Sequence, residues 1–262
     1  DKFGKILDKL KIPVPKWGTA FSVDEALLVA HEVGYPVLVR PSYVLGGRGM
    51  EIVYDDDGLK TYVSKAALVS GEHPILVDAF LEDAFEFDVD ALCDGTDVFV
   101  AGIMQHIEEA GIHSGDSACV LPAYELTSKS RKMIEVYTKE LALSLNTIGL
   151  INIQFAMKND LVYVIEVNPR ASRTVPFISK VIDLPLAKLA AQLAVGKKLV
   201  EMNLESKSKN GLIAVKKPVF PFNKFPQQNV FLSPEMKSTG EVIGFDKNLG
   251  SAYAKAEAGA GN

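Results

Sequence analysis

Two neighbouring β-strand patterns in the middle of the chain constrain its fold most. Residues 150–158 read LINIQFAMK and residues 161–168 read LVYVIEVN. Alternating apolar and polar side chains are typical of strands with one face on a hydrophobic core. The short connection KND between the two patterns predicts that they form a hairpin.

The hairpin would gather polar side chains on one face of the sheet. Alternate residues share a face, and the sets that carry polar groups are Asn152, Gln154 and Ala156 in the first strand and Val162, Val164, Glu166 and Asn168 in the second. A loop with an odd number of residues would place Gln154 beside Glu166 and Asn168. An even loop would place Ile153 there instead.

These polar groups predict a metal site. Two amide oxygens and one carboxylate suit a hard cation such as Mg²⁺, which completes its shell with water and phosphate oxygens. Arg170 and Arg173 follow the second strand, and guanidinium groups bind phosphate or carboxylate oxygens in pairs. Together they suggest a phosphoryl-transfer site. The alternative is a solvated sheet face on which Glu166 pairs with a nearby arginine.

A glycine-rich segment gives a second, weaker signal. Residues 40–50 read RPSYVLGGRGM, so that glycines could turn backbone N–H groups toward an anion while Arg40 and Arg48 flank the loop. The segment lacks the lysine and hydroxyl of a GxxxxGK[ST] phosphate loop. A hairpin turn with a solvated arginine is the alternative.

Two further segments carry polar groups. In the strand pattern EFDVDA, Glu86, Asp88 and Asp90 share one side, which predicts an exposed acidic face on which Glu86 could meet a ribose hydroxyl. His113 and Ser114 lie in a loop between glycines. A single loop histidine is more often structural than catalytic, but this one could donate to a phosphate oxygen.

Composition favours small-molecule chemistry. The 262 residues are 48% hydrophobic with a net charge of -5, which allows a sizeable core and argues against a large electrostatic contact with nucleic acid or an anionic membrane. The chain has no apolar run of about 18 residues and no secretory leader pattern, so we expect a cytoplasmic protein. Cys93 and Cys119 lack metal-site spacing and are predicted to be reduced and buried. Because the chain starts with Asp1, we expect it to be part of a longer protein.

The order of elements predicts a mixed α+β fold with two lobes. A leading helix spans 1–14, and a small lobe with the glycine-rich loop spans 15–80. A larger lobe, 81–262, carries the metal and phosphoryl-transfer site. After a helix over 186–197, it is predicted to end in strands and turns.

Several strings, spread over nearly the whole chain, resemble one enzyme family. They are RPSYVLGGRGMEIVY, EFDVDA, GIHSGDSACVLPAY, NIQFA, IEVNPRASRTVPFISK, PFNKFP and EMKSTGEVIG. Together they resemble the ATP-grasp superfamily and, more closely, the large subunit of carbamoyl phosphate synthetase. The resemblance implies an ATP-grasp fold that binds the nucleotide between two lobes.

The resemblance also implies an activity. That large subunit contains two similar halves, and PSYVLGGRGM and RTVPF look more like the second, which phosphorylates carbamate with MgATP for pyrimidine and arginine biosynthesis. The half that phosphorylates bicarbonate is the close alternative. The implied partners are the remaining large-subunit domains and a glutaminase small subunit. Without them we expect ATP binding to survive better than turnover.

The resemblance assigns roles to individual residues. Arg170 and Arg173 would stabilise the transferred phosphoryl group and the carbamate, and Gln154, Glu166 and Asn168 would hold Mg²⁺ or Mn²⁺. The implied nucleotide contacts are Arg40, Arg48, Ala79, Leu81, Glu86, Gly111, Ile112, His113, Ser114, Gln154 and Glu166. Ala79 departs from the family, whose members often carry a longer polar or basic side chain there.

Two rival interpretations remain. Biotin carboxylase shares a GGRGM loop and an acid-x-Asn-x-Arg segment, but it should also show a His-x-Glu-Val-Gln element where this chain has EFDVDA. The other rival is a regulatory module that binds nucleotide without transfer. Binding alone does not need a full set of metal ligands and arginines, which disfavours the second rival.

Overall fold

The computed structural model describes residues 2–41, 47–70, 73–205, 211–224, 227 and 230–261. Residues 42–46 of the predicted glycine-rich loop and the end of the PFNKFP string lie outside the described residues. No helix within these ranges is both long and apolar enough to cross a membrane.

The first sheet is antiparallel, with the strand order β1-β4-β2-β3. Its elements are β1 (Trp17–Ala20), α2 (Val23–Val33), β2 (Val37–Pro41), β3 (Glu51–Val53), α3 (Asp56–Ser70) and β4 (Ile75–Ala79). Buried residues of α2, including Ala26 and Ala30, pack on Val37 and Val77. At the start of α2, Ser22 Oγ accepts from Glu25 N, while Glu25 Oε2 accepts from Phe21 N.

The second sheet is also antiparallel, with the order β11-β10-β7-β6-β5-β8-β9. Its strands are β5 (Phe85–Asp94), β6 (Val98–His106), β7 (Cys119–Leu121), β8 (Ile148–Lys158), β9 (Leu161–Asn168), β10 (Ile213–Val219) and β11 (Gly240–Asp246). The helices that accompany it are α1 (Lys2–Leu10), α4 (Ser128–Ser144), α5 (Val175–Ile182), α6 (Leu186–Ala194) and α7 (Leu249–Ala260), with 3₁₀ turns at Leu199–Met202 and Phe222–Lys224. The prediction that the chain ends in strands and turns is therefore wrong, because α7 follows β11.

Hydrophobic cores cover both faces of this second sheet. On one face, α1 and α4 pack on β5, β8 and β9, so the leading helix contributes Leu7 to that core. Buried Ile134 and Leu141 of α4 lie there too. On the other face, α5 and α6 pack over β6 and β10. Cys93 and Cys119 are free and buried, which confirms their prediction.

The predicted hairpin of β8 and β9 forms, but its register has a different cause from the one expected. Asn159 and Asp160 both have positive φ and make a two-residue turn in which Lys158 pairs with Leu161. Such an even loop alone would put Ile165 opposite Gln154. A β-bulge at Ile165 shifts the register by one residue, so Glu166 lies opposite Gln154.

The bulge also changes which residues of β9 share a face. Val162 and Val164 pack in the core with Phe155, whereas Glu166 lies on the face of Gln154. The prediction that Val162, Val164, Glu166 and Asn168 share one face is therefore wrong. The period-two rule fails here because one extra residue reverses the alternation.

Asp94 fixes the end of β5. Its Oδ1 accepts from Thr96 N (2.8 Å), Thr96 Oγ1 (2.7 Å) and Asp97 N (2.7 Å). Its Oδ2 accepts from Leu199 N (2.9 Å). The carboxylate thus joins a turn of the second sheet to the 3₁₀ turn after α6.

Gly244 provides a test of how α7 packs on β11. A β-carbon at this position would lie 2.1 Å from Ala252 O and 2.7 Å from Ala256 N, which are backbone atoms of α7. We expect Gly244→Ala to lower the free energy of unfolding by ~1–3 kcal/mol in urea denaturation, because the helix must move. As a control, Gly4→Ala in α1 meets open space and should raise stability by ~0.5–1 kcal/mol. Unchanged stability of the Gly244 variant would contradict the packing.

Asp94 predicts a pH dependence of stability. Burial alone would raise the pKa of Asp94, but hydrogen bonds from Asp97 N, Leu199 N and Thr96 hold it well below its ordinary value of 3.8. Because the folded-state pKa is depressed, the stabilisation is present above about pH 4 and is lost as the pH falls further. The difference in unfolding free energy between the parent chain and Asp94→Asn should be larger at about pH 7 than at about pH 3. An equal difference at both pH values would contradict this account.

Candidate functional site

The end of the β8–β9 hairpin carries a pair of available oxygen ligands. Gln154 and Glu166 are direct cross-strand neighbours. Gln154 Nε2 donates to Ser114 Oγ at 3.0 Å, and within the described residues no hydrogen bond engages Gln154 Oε1. Glu166 is exposed, and no lysine or arginine in the described ranges lies within ion-pair distance of it. The alternative of a Glu166–arginine pair is therefore wrong.

The arginine turn, residues 169–174, follows β9 directly. Arg170 donates to Asn168 Oδ1 at 3.2 Å and to Ala171 O at 3.0 Å, and its own backbone N–H donates to Asn168 O. Arg173 is exposed, while Thr174 is buried. The turn thus begins three residues after Glu166, and the guanidinium of Arg170 contacts Asn168 at the end of β9.

The predicted loop residues His113 and Ser114 lie beside the same hairpin. His113 Nδ1 accepts from Gly115 N at 3.0 Å, which leaves Nε2 to carry the proton of the neutral ring. Burial lowers the pKa of His113, although the carboxylates of Asp116 and Glu166 oppose the shift. A neutral ring with a free Nε2–H is a hydrogen-bond donor at neutral pH.

Contacts from β10 and from the segment between β10 and β11 hold the His113–Ser114 loop in place. His113 N donates to Ser233 O at 3.0 Å, and the Asp116 carboxylate accepts from Lys237 N and Ser238 N at 2.7 and 2.8 Å. Lys216 of β10 donates to Ser114 O at 3.1 Å. Lys216 is only 1% exposed and was missed from the sequence, where a lysine in the apolar run IAVKKPV was its one signal.

Gly111 lies where the two sheets approach each other. Its φ is +93°, and a β-carbon would lie 2.7 Å from the Phe80 ring and 2.8 Å from Ile52 Cδ1. Its N–H donates to Glu86 Oε1 at 3.2 Å. A cleft of about 330 Å³ opens here, and its lining residues are Met50, Glu51, Ile52, Glu109, Ala110, Gly111, Ile112, Leu232, Ser233 and Pro234.

The remaining predicted residues lie on or next to the first sheet. Arg40 Nε donates to Asp78 Oδ2 at 2.8 Å, and Arg48 is exposed in the described end of the glycine-rich loop. The neighbouring Gly47 lies so close to Pro234 O that no β-carbon would fit. Ala79 and Leu81 are partly buried on either side of Phe80.

The prediction that β5 has an exposed acidic face is wrong. Asp88 and Asp90 are 1% and 0% exposed. The reason is that β5 lies inside the sheet, between β6 and β8, where both of its faces are covered. Asn152 Nδ2 donates to Asp88 Oδ1 at 3.1 Å and to Asp90 Oδ1 at 3.0 Å.

His106 compensates part of this buried charge. Its Nε2 lies 2.9 Å from Asp88 Oδ2, and its Nδ1 lies 3.1 Å from Glu86 Oε2, although outside hydrogen-bond geometry. Burial alone lowers the pKa of His106, but Cys119, Asp88 and Glu86 together raise it well above its ordinary value. Ligand-type atoms of Asp88, His106 and Cys119 lie within 4.8 Å of one another. Because Asp88 already pairs with His106 and Asn152, a hydrogen-bonded cluster describes these residues better than a metal site.

Comparison with known sequences places the chain in a family. The profile described as "Carbamoyl-phosphate synthase L chain, ATP binding domain" matches residues 1–202. The carbamoyl phosphate synthase large chain of Archaeoglobus fulgidus is 58% identical over 261 residues, which are 100% of this chain and 24% of that protein. The large chain of Acidobacterium capsulatum is 60% identical over 265 residues, 99% of this chain and 24% of that protein. The chain therefore spans about a quarter of the length of these relatives.

Solved structures show the same fold at low sequence identity. The biotin carboxylase domain of the Hydrogenobacter thermophilus 2-oxoglutarate carboxylase, a complex with MgADP, ADP and bicarbonate, matches with a TM-score of 0.70 and 21% identity over 84% of this chain and 50% of that one. A Campylobacter jejuni biotin carboxylase in a complex with β,γ-ATP matches with a TM-score of 0.75 and 17% identity over 97% of this chain and 64% of that one. These neighbours establish the α+β ATP-grasp fold. Since the family profile covers residues 1–202 and the large-chain relatives align over the whole length, the chain belongs to the family of ATP-binding domains of the carbamoyl-phosphate synthase large chain.

Proposed function

We propose that the chain is an ATP-dependent synthetase domain that phosphorylates carbamate with MgATP to give carbamoyl phosphate. One observation supports this most strongly. The oxygen pair of Gln154 and Glu166 lies beside the His113–Ser114 loop and directly before the arginine turn. Metal ligands, a neutral donor and guanidinium groups are the parts that phosphoryl transfer uses.

The nucleotide would bind between two lobes, with residues 15–80 as the small lobe and 81–262 as the large lobe. The approach of Gly111 to Phe80 and Ile52 supports this division. Residues 1–14 precede the small lobe in sequence, but α1 packs on the core of the large sheet. We infer that Glu86 and Leu81 contact the ribose and adenine and that residues 111–114 follow the phosphates.

Gln154, Glu166 and Asn168 are the residues that would hold Mg²⁺, or Mn²⁺ in its place. Among the described residues, Glu166 forms no ion pair and Gln154 Oε1 accepts no hydrogen bond. A carboxylate beside an amide oxygen fits the oxygen chemistry of a hard cation. Asn168 Oδ1 accepts one hydrogen bond from Arg170 and keeps a second lone pair. When bound, the cation neutralises charge on the phosphate oxygens.

The protein's own groups would then position the reactants. A carbamate oxygen attacks the γ-phosphorus, and the bond from that phosphorus to the bridging oxygen of ADP breaks. His113 Nε2–H would donate to a phosphate oxygen, while Arg170 and Arg173 would hold the transferred phosphoryl group and the carbamate. Arg40 and Arg48 would approach the ATP phosphates from the small lobe.

The choice of carbamate over bicarbonate rests on the strings PSYVLGGRGM and RTVPF, which resemble the second half of the large subunit. Phosphorylation of bicarbonate is the alternative. In the whole protein, the remaining large-subunit domains and a glutaminase small subunit would supply the carbamate. The product would serve pyrimidine and arginine biosynthesis in the cytoplasm.

The reverse reaction tests this proposal on the chain itself. The purified chain should form ATP from ADP and carbamoyl phosphate in a Mg²⁺-dependent manner. Bicarbonate-dependent ATP hydrolysis without that reverse reaction would assign the chain to the bicarbonate half instead. Nucleotide binding with neither activity would point to a regulatory module or to a requirement for the remaining large-subunit domains.

The metal assignment predicts the effect of Glu166→Gln. The variant keeps the size of the side chain but removes its charge, so ATP formation from ADP and carbamoyl phosphate should fall by about 100-fold or more. Its urea denaturation midpoint should stay unchanged, because Glu166 is exposed and unpaired among the described residues. Glu140→Gln, on the exposed surface of α4, is the matched control and should keep full activity. Normal turnover of Glu166→Gln with unchanged Mg²⁺ dependence would refute the assignment.

The position of Gly111 predicts a binding defect. Gly111→Ala should weaken MgADP binding by at least about tenfold in calorimetry, because the new β-carbon pushes the loop away from Phe80 and Ile52. Gly196→Ala is a control with a similar φ of +96° but open space around it. It should lose stability through backbone strain yet bind MgADP normally. Equal affinities of the two variants would argue against nucleotide binding at this loop.

A further inference from the structure

A buried polar network lies beside the candidate site, and the proposed reaction uses none of its members except Glu86. Its members are Glu86, Asp88, Asp90, His106, Asn152, Ser172 and Thr174. The network begins at Glu86, which accepts from the N–H of Gly111, and it ends inside the arginine turn. Buried polar groups are costly unless they are fully paired, so their arrangement here calls for a reason.

Asp90 makes the contacts at the arginine end of the network. Its Oδ1 accepts from Ser172 Oγ at 2.8 Å, and its Oδ2 accepts from Thr174 Oγ1 at 2.5 Å. The two hydroxyls also contact each other at 2.7 Å. Ser172 and Thr174 are the immediate neighbours of Arg173, so Asp90 holds the turn on both sides of that arginine.

The Thr174 hydroxyl binds Asp90 instead of capping its own helix. It occupies the N-cap position of α5, where a threonine hydroxyl ordinarily accepts from a backbone N–H of the first turn. Here the side chain makes no such capping bond and donates to Asp90 instead. The turn is thus anchored to β5 rather than to its own helix.

Asp90 itself is fixed and cannot reach a substrate. It is 0% exposed, and Asn152 Nδ2 donates to its Oδ1 while also donating to Asp88. On the other side of the turn, Arg173 lies close enough to His113 to influence its pKa, as does Glu166. The anchored turn therefore fixes the backbone on both sides of an arginine whose charge acts on His113.

We propose that Asp90 is a positioning residue that fixes Arg173 for phosphoryl transfer by holding Ser172 and Thr174. The inference rests on the proposed function, since it gives Arg173 a role in transfer. Asp90 acts through the two hydroxyls and touches neither nucleotide nor carbamate. The competing explanation is that the network only stabilises the fold.

The end of the same strand offers a matched control for stability. Asp94, the last residue of β5, accepts from Thr96 Oγ1 at 2.7 Å, which is the same kind of bond at a distance from the arginine turn. Thr96→Val should lower the urea denaturation midpoint while leaving the transfer rate unchanged. It therefore measures what the loss of one partly buried Asp–hydroxyl bond does to activity through stability alone.

The test uses the double variant Ser172→Ala/Thr174→Val. ATP formation from MgADP and carbamoyl phosphate should fall by at least about tenfold, because a small displacement of an arginine weakens transfer strongly. The Kd for MgADP should stay within about twofold of the parent value, since Arg173 acts on the transferred group. Amide hydrogen exchange in residues 170–174 should become faster, while exchange in the distant Thr96 region stays unchanged.

Asp90→Asn is the conservative rescue. An amide keeps one oxygen for Asn152 and Ser172, and its NH₂ can donate to the Thr174 hydroxyl, which then reverses its role. This variant should keep most of the transfer rate, whereas Asp90→Ala should behave like the double variant.

Three results would overturn the inference. They are unchanged hydrogen exchange in the arginine turn of the double variant, a transfer rate within about twofold of the parent, or an equal loss of rate in Thr96→Val. If the parent chain forms no ATP at all, the proposed function fails. Hydrogen exchange would still decide whether Asp90 holds the turn.

Discussion

The pairing of Gln154 with Glu166 is the contact on which the candidate site depends. Both side chains lie on the polar face of the hairpin only because one extra residue, Ile165, is inserted into β9. Without that bulge, the two-residue turn would turn Glu166 toward the apolar core and expose Val167. Because of the bulge, β9 places Val162 and Val164 in the core and, two residues later, places Glu166 at the candidate site. Bulges near active sites often redirect side chains in this way.

The sequence predicts much of this arrangement, and its errors have physical causes. Alternation correctly separates Ile153 and Phe155 from Gln154, and it predicts the hairpin. Period-two counting cannot detect a bulge, so it misplaces Val162 and Val164 relative to Glu166. Local pattern also cannot tell a central strand from an edge strand, and for that reason Asp88 and Asp90 were expected to be exposed.

Other features depend on tertiary contacts that a local pattern does not contain. The role of Lys216 emerges only when β10 lies next to β7, the strand that follows the Ser114 loop. The helix α7 was missed although Asn248 caps it, because its alanine-rich sequence has no strong apolar stripe. The family and the fold are confirmed by the comparisons, whereas the ligand contacts of the site residues remain predictions.

Charge burial links the fold to the proposed chemistry. Asp88 pairs with His106, and Asp90, whose pKa is raised to about 6 by burial, accepts from three side chains. Asp88 lies directly opposite Gln154, and Asp90 lies opposite Asn152, so these groups lie beside the candidate site in the same sheet. A hydrogen-bonded polar cluster of this kind can fix the orientation of the groups next to it. The interior of the second sheet thus supplies the rigidity that the exposed side chains lack.

A crystal structure of the chain with MgADP would test the account most directly. The account predicts that Mg²⁺ lies about 2.1 Å from Gln154 Oε1 and from a carboxylate oxygen of Glu166, with the ADP phosphates between them and residues 111–114. Phosphates bound away from the hairpin, or a cation held by other residues, would contradict it.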